Sequence, residues 1–279
     1  MSSLARITIG PPTAPTLVLL HGITGSAVSQ AEAIEHWAER GYRVIALDAR
    51  GHGLSPRWSA EQLQQAGQVL VDDVIEILEE LVQARPASPG GAPPRPILIG
   101  HSMGAATAMV LAVQRPDLVA GVVLEDPALH GMRSPEELLA RGAARERARA
   151  AEAADPAASV SQALEGRAMP DAEVLPGVWA AQRSDPALLL SGVVAPEVPW
   201  TEAVASLEVP ALLLTGDRPG SARVGPEGLE RIAALNPRIA TVLVPGAGHQ
   251  VRRSDPQAYY SAVDGWLERQ GMGPQPSRP

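Results

Sequence analysis

The sequence predicts an α/β protein built on a doubly wound, mostly parallel sheet that carries one helical insertion. Short apolar, β-branched runs recur along the chain, stretches with helical spacing separate them, and one long stretch has no strand pattern. With 279 residues, 45% of them hydrophobic and 19% charged, the chain is long and apolar enough to bury a large core. We therefore expect alternating strands and helices that form βαβ units.

Six apolar runs are interpreted as buried parallel strands. In chain order they are TLVLL (16–20), RVIAL (43–47), PILI (96–99), GVVLE (121–125), ALLLT (211–215) and TVLVP (241–245). Residues 28–40 and 59–84, between the early strands, show the spacing of apolar residues that is typical of helices. The second helix opens with Ser59 and Gln62, which match a capping box.

The regular alternation stops between residues 130 and 208. Ser134, Pro135 and Glu137 mark the start of a helix, and a stretch rich in Ala, Arg and Glu follows it without strand signals. An insertion near the carboxyl ends of the strands covers the crevice in which open α/β sheets bind ligands. The expected organisation is a core of residues 1–129 and 209–270, a helical cap of residues 130–208, a flexible surface connection at 86–95 and a disordered tail at 271–279.

Composition narrows the class of protein. The 23 basic and 31 acidic residues give a formal charge of −8, and the arginines are interspersed with acids along the chain, which argues against a nucleic-acid partner. The absence of cysteine excludes disulfides, thiolate metal sites and a cysteine nucleophile. The first residues do not resemble a signal peptide, and no apolar stretch is long enough to span a bilayer. We expect a cytoplasmic protein without a membrane partner.

The sharpest motif is Gly100-His101-Ser102-Met103-Gly104, which lies between the strand PILI and a helical pattern. A strand, a tight turn and a helix form the context that a G-x-S-x-G nucleophile elbow requires. The glycines leave room for the sharp turn, in which the serine adopts a strained backbone and projects its hydroxyl. Ser102 is therefore the candidate nucleophile.

Three further segments strengthen this interpretation: HGITG (21–25), LDARGHGLS (47–55) and PGAGHQVRR (245–253). With them, the chain resembles the serine-nucleophile branch of the α/β-hydrolase superfamily from about residue 5 to residue 268, outside the insertion. The resemblance implies the α/β-hydrolase fold with an inserted helical cap. It also implies an oxyanion hole in which the backbone N–H groups of Ile23 and Met103 stabilise the tetrahedral intermediate.

The resemblance places the general base at His249, in the loop after the last strand. A serine hydroxyl is a poor nucleophile at neutral pH, so a neutral imidazole must take its proton during attack and return it to the leaving group. Asp48, Arg50 and His52 lie in the earlier Gly-rich loop, where hydrogen bonding within the loop explains them better than catalysis.

The acid of the triad is less clearly marked. Many relatives place it three residues beyond a glycine after the penultimate strand, but that position is Pro219 in this chain. Asp217 lies nearby and is one candidate. Other branches take the acid from the end of the preceding strand, which gives Asp126 after VVLE. We favour Asp126 because it lies at the edge of the sheet that the histidine loop also reaches, and Asp217 remains the alternative.

These assignments predict a serine hydrolase that cleaves a small-molecule carboxylic ester or lactone through an acyl-enzyme intermediate. No cofactor is expected, because the sequence has no dinucleotide fingerprint, no P-loop and no paired-histidine metal helix. A C–C bond hydrolase, an acyltransferase or a perhydrolase would use the same triad. A hydrolase-like ligand receptor that signals through its cap is an alternative from another class. No expectation follows for the natural substrate or the oligomeric state.

Overall fold

The computed structural model of the protein describes residues 4–84, 94–130, 133–166 and 169–274. Within these residues the chain forms one sheet of seven strands in the order β1, β3, β2, β4, β5, β6, β7. The strands are β1 (Arg6–Ile9), β2 (Thr16–Leu20), β3 (Arg43–Leu47), β4 (Ile97–His101), β5 (Gly121–Glu125), β6 (Ala211–Gly216) and β7 (Ile239–Val244). Only β1 runs antiparallel to its neighbour, so the predicted mostly parallel sheet is confirmed.

The six predicted strands coincide with β2 to β7 within two residues at their ends. Strand β1 is absent from the prediction. Three of its four residues are exposed, because it lies at the sheet edge and pairs only with β3. An exposed edge strand lacks the continuous apolar run that indicates a buried parallel strand.

Helices cover both faces of the sheet. In chain order they are α1 (Ala31–Glu39), α2 (Ala60–Leu63), α3 (Ala66–Gln83), α4 (Met103–Gln114), α5 (Pro135–Ala154), α6 (Pro156–Gly166), α7 (Asp171–Gln182), α8 (Pro186–Ser191), α9 (Trp200–Ser206), α10 (Gly225–Leu235), α11 (Val251–Ser254) and α12 (Pro256–Arg269). The predicted helix at 59–84 is divided into α2 and α3, and the predicted capping box of Ser59 and Gln62 opens α2.

Alternate residues of the central strands enter two separate cores, as expected where both faces of a sheet are covered. Val18 and Leu20 of β2 pack in the core that includes α3 and α4, whereas Leu17 and Leu19 pack in the core that includes α1 and α12. The buried residues of the first core are aliphatic, whereas the second core also contains aromatic side chains: Trp37, Tyr42, Tyr259, Tyr260 and Trp266.

Five helices, α5 to α9, lie between β5 and β6, where the sequence predicts the insertion. Ser134 and Glu137 form a capping box at the start of α5. Leu188 and Val193 are buried against Trp58 and Met103, so these large apolar residues attach the inserted segment to the rest of the chain.

Part of the expected flexible connection and part of the expected tail lie outside the described residues, namely 86–93 and 275–279. The expected disorder does not extend to residues 271–274: Met272 packs against the core, and its amide donates to the carbonyl oxygen of Leu267 at 2.9 Å. In the part of the chain that the structure describes, we find no helix with the length and apolarity needed to cross a bilayer.

Candidate active site

Ser102 occupies the sharp turn between β4 and α4. Its φ of 51° and ψ of −109° lie in a region that side-chain-bearing residues rarely adopt, and the residue is only 7% exposed. The turn depends on close packing, since a Cβ on Gly104 would overlap the carbonyl oxygen of Leu20. The amide of Ser102 donates to the carbonyl oxygen of Glu125 at 3.0 Å, which fixes the elbow to β5.

Two side chains, those of His249 and Asp126, form a hydrogen-bonded series with the Ser102 hydroxyl. The Oγ atom of Ser102 lies 2.9 Å from Nε2 of His249, and Nδ1 of the same ring lies 2.6 Å from Oδ2 of Asp126. When Nδ1 donates to the carboxylate, Nε2 is left to accept a proton from the hydroxyl. The structure therefore brings together the predicted nucleophile, the predicted base and the favoured acid in the order that proton transfer requires.

Asp126 is fully buried and lies in a dense set of hydrogen bonds. Its Oδ1 accepts from Oγ1 of Thr215 at 2.6 Å and from the amide of Val224 at 3.0 Å, and its Oδ2 accepts from the amide of Arg223 at 2.8 Å. Burial by itself would raise the pKa of this carboxyl, but the hydrogen bonds from His249, Thr215 and the two amides outweigh it and hold the pKa below its usual value. The group is therefore a carboxylate at neutral pH.

Asp217, the alternative acid, has a different environment. Its Oδ1 accepts a hydrogen bond from the amide of Gly246 at 2.6 Å, which connects the end of β6 to the loop that leads to His249. Both ring nitrogens of His249 have other partners. Asp217 therefore stabilises the loop and does not contact the imidazole in this structure.

The HGITG loop passes directly beside the elbow. A Cβ on Gly22 would lie 3.4 Å from the Cβ of Ser102 and 2.6 Å from Nδ1 of His101, so only glycine fits at this position. The next residues are Ile23 and Thr24, and Thr24 has a left-handed φ of 65°. Within the described part of the chain, neither the amide of Ile23 nor that of Met103 donates a hydrogen bond. Both amides remain available for an oxyanion.

The polar residues of the LDARGHGLS loop form hydrogen bonds and an ion pair that stabilise the loop. Asp48 accepts hydrogen bonds from the amides of Ala27 and Leu54 at 2.7 and 2.9 Å. Arg50 binds both carboxylate oxygens of Asp73 at 2.6 and 2.8 Å, and both side chains are buried. These contacts explain both residues without a catalytic role.

Two buried histidines are held in the neutral form near the site. Nε2 of His101 lies 3.0 Å from the carbonyl oxygen of His249, and Nδ1 of His52 lies 3.0 Å from that of Arg50. Burial, followed by repulsion from neighbouring charges, lowers the pKa of His101 and that of His52 to about 3. The ring that contacts the Ser102 hydroxyl is that of His249, and within the described residues neither His101 nor His52 makes this contact.

These two histidines predict an acid-sensitive fold. In the unfolded chain each takes up a proton near pH 6.5, whereas in the folded chain each does so only near pH 3. Because the unfolded state then binds more protons, the free energy of unfolding should fall as the pH decreases from about 6.5 towards 3, by roughly 5 kcal/mol for the pair at about pH 4.5. Urea unfolding between about pH 7 and 4.5 measures this loss. His52→Gln should remove roughly half of the loss that is assigned to this pair, and a flat profile in the native chain would contradict the prediction.

A cavity of about 460 Å³ lies between the inserted segment and the rest of the chain. Gly22, Ile23, Gly100 and His101 contribute to its lining and adjoin Ser102, which itself lies outside the lining. Helices α5, α6 and α7 supply small and polar residues on the opposite side. The cavity therefore meets the elbow from the side of the HGITG loop, and its volume lies in the range of small-molecule sites.

A buried ionic cluster connects the loop of His249 to the inserted segment. Arg252 contacts Glu173 of α7 at 2.9 Å and Glu32 of α1 at 2.8 Å, and Arg253 contacts the same Glu173 oxygen at 2.9 Å. Glu173 is fully buried. Removing the arginine partners of a buried carboxylate strongly destabilises the folded protein. These ion pairs therefore hold α1, α7 and α11 in one arrangement.

Several supporting residues are absent from the sequence analysis. Thr215 and the amides of Arg223 and Val224 hold the Asp126 carboxylate, and Oγ of Ser221 accepts from the amide of His249 at 3.1 Å. Thr215 could have been found, because β6 lies next to β5 and the two strands end together. The loop residues carry no local signal, since their contacts depend on how two distant loops pack.

The sheet order, the elbow after β4 and the histidine loop after β7 define the class of the α/β hydrolases. In agreement, the model of the alpha/beta hydrolase fold family matches residues 15–251, so the chain belongs to this family. Its curated relatives include a 2-(acetamidomethylene)succinate hydrolase from Mesorhizobium japonicum, which is 26% identical over 95% of this chain and 93% of the relative. The sn-1-specific diacylglycerol lipase ABHD11 of Mus musculus is 37% identical over 42% of this chain, a segment that spans 34% of the lipase.

Solved structures agree on the fold. The crystal structure of E-2-(acetamidomethylene)succinate hydrolase superimposes with a TM-score of 0.71 at 23% identity and covers 95% of each chain. The enol-lactonase from Burkholderia xenovorans LB400 gives a TM-score of 0.70 at 21% identity, covering 95% of this chain and 96% of its own. At these identities the similarity establishes the fold.

Proposed function

We propose that the protein is a serine hydrolase that cleaves a carboxylic ester or lactone through an acyl-enzyme intermediate. The observation that carries the proposal is the pair of short contacts at His249, 2.9 Å to the hydroxyl of Ser102 and 2.6 Å to the carboxylate of Asp126. The neighbouring amides of Ile23 and Met103, which have no acceptor in the described part of the chain, support it. An unrelated role would not explain a strained serine aligned with a base and an acid.

In the first half of the proposed reaction, Oγ of Ser102 attacks the carbonyl carbon while Nε2 of His249 takes its proton. The negative oxygen of the tetrahedral intermediate accepts hydrogen bonds from the amides of Ile23 and Met103. The Asp126 carboxylate stabilises the imidazolium at Nδ1. The bond between the carbonyl carbon and the leaving oxygen then breaks, and the leaving oxygen takes the proton from Nε2, which gives an alcohol and an acyl-serine.

In the second half, water repeats the same steps. Nε2 of His249 removes a proton from water, the resulting hydroxide attacks the acyl carbon, and the bond to Oγ of Ser102 breaks. Oγ recovers the proton from Nε2, and the carboxylic acid is released. In a lactone the leaving alcohol and the acyl group belong to one molecule, so the product is a single hydroxy acid.

We assign residues 1–129 and 209–270 to the catalytic core and residues 130–208 to the cap. The contribution of α5, α6 and α7 to the cavity lining supports this division. The cytoplasmic location and the absence of a nucleic-acid partner stay predictions from the sequence.

The proposal is tested with 4-nitrophenyl acetate, 4-nitrophenyl butyrate and γ-butyrolactone. We expect many turnovers of at least one substrate per protein molecule, together with covalent labelling of the protein by a fluorophosphonate. A burst of one nitrophenolate per chain with no further turnover would favour the ligand receptor instead. Absence of both labelling and turnover would contradict the proposal.

A further inference from the structure

Three polar residues that the proposed mechanism does not use line the cavity of about 460 Å³. They are His101 at the end of β4, Glu125 at the end of β5 and Tyr259 of α12, and we call them the polar wall. His101 and Glu125 are partners in the register of the two strands, so their side chains leave the sheet on one face. Ile99 and Val123, two residues earlier on each strand, pack in the same core as Tyr259. The polar wall therefore lies on the side of the sheet that α12 covers.

Two atoms of the polar wall have unused hydrogen-bonding capacity. Oε1 of Glu125 accepts from the amide of Arg252 at 2.9 Å, but among the described residues Oε2 of Glu125 and the hydroxyl of Tyr259 have no partner. Both atoms keep accessible surface, whereas the hydroxyl of the neighbouring Tyr260 is buried without a partner, and Tyr260 does not line the cavity. The unused capacity of Glu125 and Tyr259 is therefore directed into the cavity.

His101 brings the polar wall next to the elbow. Its Nε2 donates to the carbonyl oxygen of His249 at 3.0 Å, so in the neutral ring Nδ1 is an acceptor. A Cβ on Gly22 would lie 2.6 Å from this Nδ1 and 3.4 Å from the Cβ of Ser102, so both atoms adjoin Gly22. Ile23, whose amide is proposed to bind the oxyanion, lines the same cavity. One small molecule can therefore reach both the elbow and the polar wall.

The charges near the polar wall disfavour a charged ligand. Arg252 and Arg253 also line the cavity, where they pair with Glu173 and Glu32, so a cation would meet two arginines. Burial already raises the pKa of Glu125, so a second negative charge beside this carboxyl would be costly. A neutral group that both donates and accepts hydrogen bonds avoids both costs.

We propose that the polar wall binds a neutral hydroxyl group on the acyl part of the substrate. This inference rests on the proposed function and names its substrate class, a hydroxyacyl ester or a hydroxylated lactone. A hydroxyl can donate to Oε2 of Glu125 or to Nδ1 of His101 while it accepts from the hydroxyl of Tyr259. An alkyl group in the same place would leave these polar atoms buried without partners, which costs free energy.

The kinetic test compares two esters with the same leaving group and the same chain length. One is 4-nitrophenyl 6-hydroxyhexanoate, and the other is 4-nitrophenyl heptanoate, in which a methyl group replaces the hydroxyl. We expect kcat/KM to be about tenfold or more higher for the hydroxy ester, because a site built to bind a hydroxyl discriminates against its apolar isostere.

The variants assign this preference to the polar wall. Tyr259→Phe removes one oxygen and keeps the buried ring, so it should abolish most of the preference for the hydroxy ester. Tyr260→Phe is the matched control, because it removes the adjacent hydroxyl, which does not line the cavity, and it should keep the preference. Equal or lower kcat/KM for the hydroxy ester, or a preference that survives Tyr259→Phe, would overturn the inference.

A binding measurement does not depend on catalysis. The ketones 7-hydroxyheptan-2-one and octan-2-one carry the same two chains on a carbonyl group without a leaving group. In calorimetric titrations the hydroxy ketone should bind about tenfold more tightly, and Tyr259→Phe should remove this difference. If neither ester is hydrolysed, the proposed function fails and the titrations alone decide on the polar wall. Equal binding of the two ketones, or no binding of either, would then overturn the inference.

Discussion

Replacing Ser102 with alanine is expected to lower kcat for 4-nitrophenyl acetate by roughly five to six orders of magnitude and to abolish fluorophosphonate labelling. In the proposed mechanism Oγ forms the covalent bond of the acyl-enzyme, and no other hydroxyl lies within hydrogen-bonding distance of Nε2 of His249 among the described residues. Stopped assays over hours and mass spectrometry of the labelled protein measure the two effects.

The matched control is Ser191→Ala on α8, a serine whose hydroxyl donates to the carbonyl oxygen of Leu188. This variant should retain both labelling and turnover. Near-normal turnover in Ser102→Ala would show that the elbow serine is not the nucleophile.

The second large effect separates the two candidate acids. Asp126→Asn should reduce kcat by about four orders of magnitude, because the amide would favour the wrong tautomer of His249 and could not stabilise the imidazolium. Asp217→Asn should reduce kcat by no more than a few fold. Among the described residues Asp217 accepts only the amide of Gly246, and an asparagine oxygen can still accept that bond. Both variants are compared at one pH with the same ester. A collapse in Asp217→Asn with Asp126→Asn nearly intact would reverse the assignment.

The strands, the elbow and the histidine loop were predictable because each has a local signal. A buried strand shows a continuous apolar run, and the sharp turn at Ser102 needs glycine where Leu20 approaches Gly104. The acid could only be narrowed to two positions. The choice depends on the packing of the β5, β6 and β7 loops, and neither Asp126 nor Asp217 has a neighbouring pattern that encodes it.

The contacts of Glu173 bear on how this protein can be redesigned. The inserted segment, which we propose as the cap, is an obvious segment to exchange when substrate preference is redesigned, but it carries the carboxylate that pairs with both Arg252 and Arg253. These arginines begin three residues after His249. A transplanted segment without an equivalent carboxylate would leave buried Arg252 with Glu32 as its carboxylate partner and would remove the carboxylate that pairs with Arg253, close to the candidate base. A chimera should therefore keep Glu173, or replace both arginines at the same time, if the imidazole is to stay aligned with Ser102.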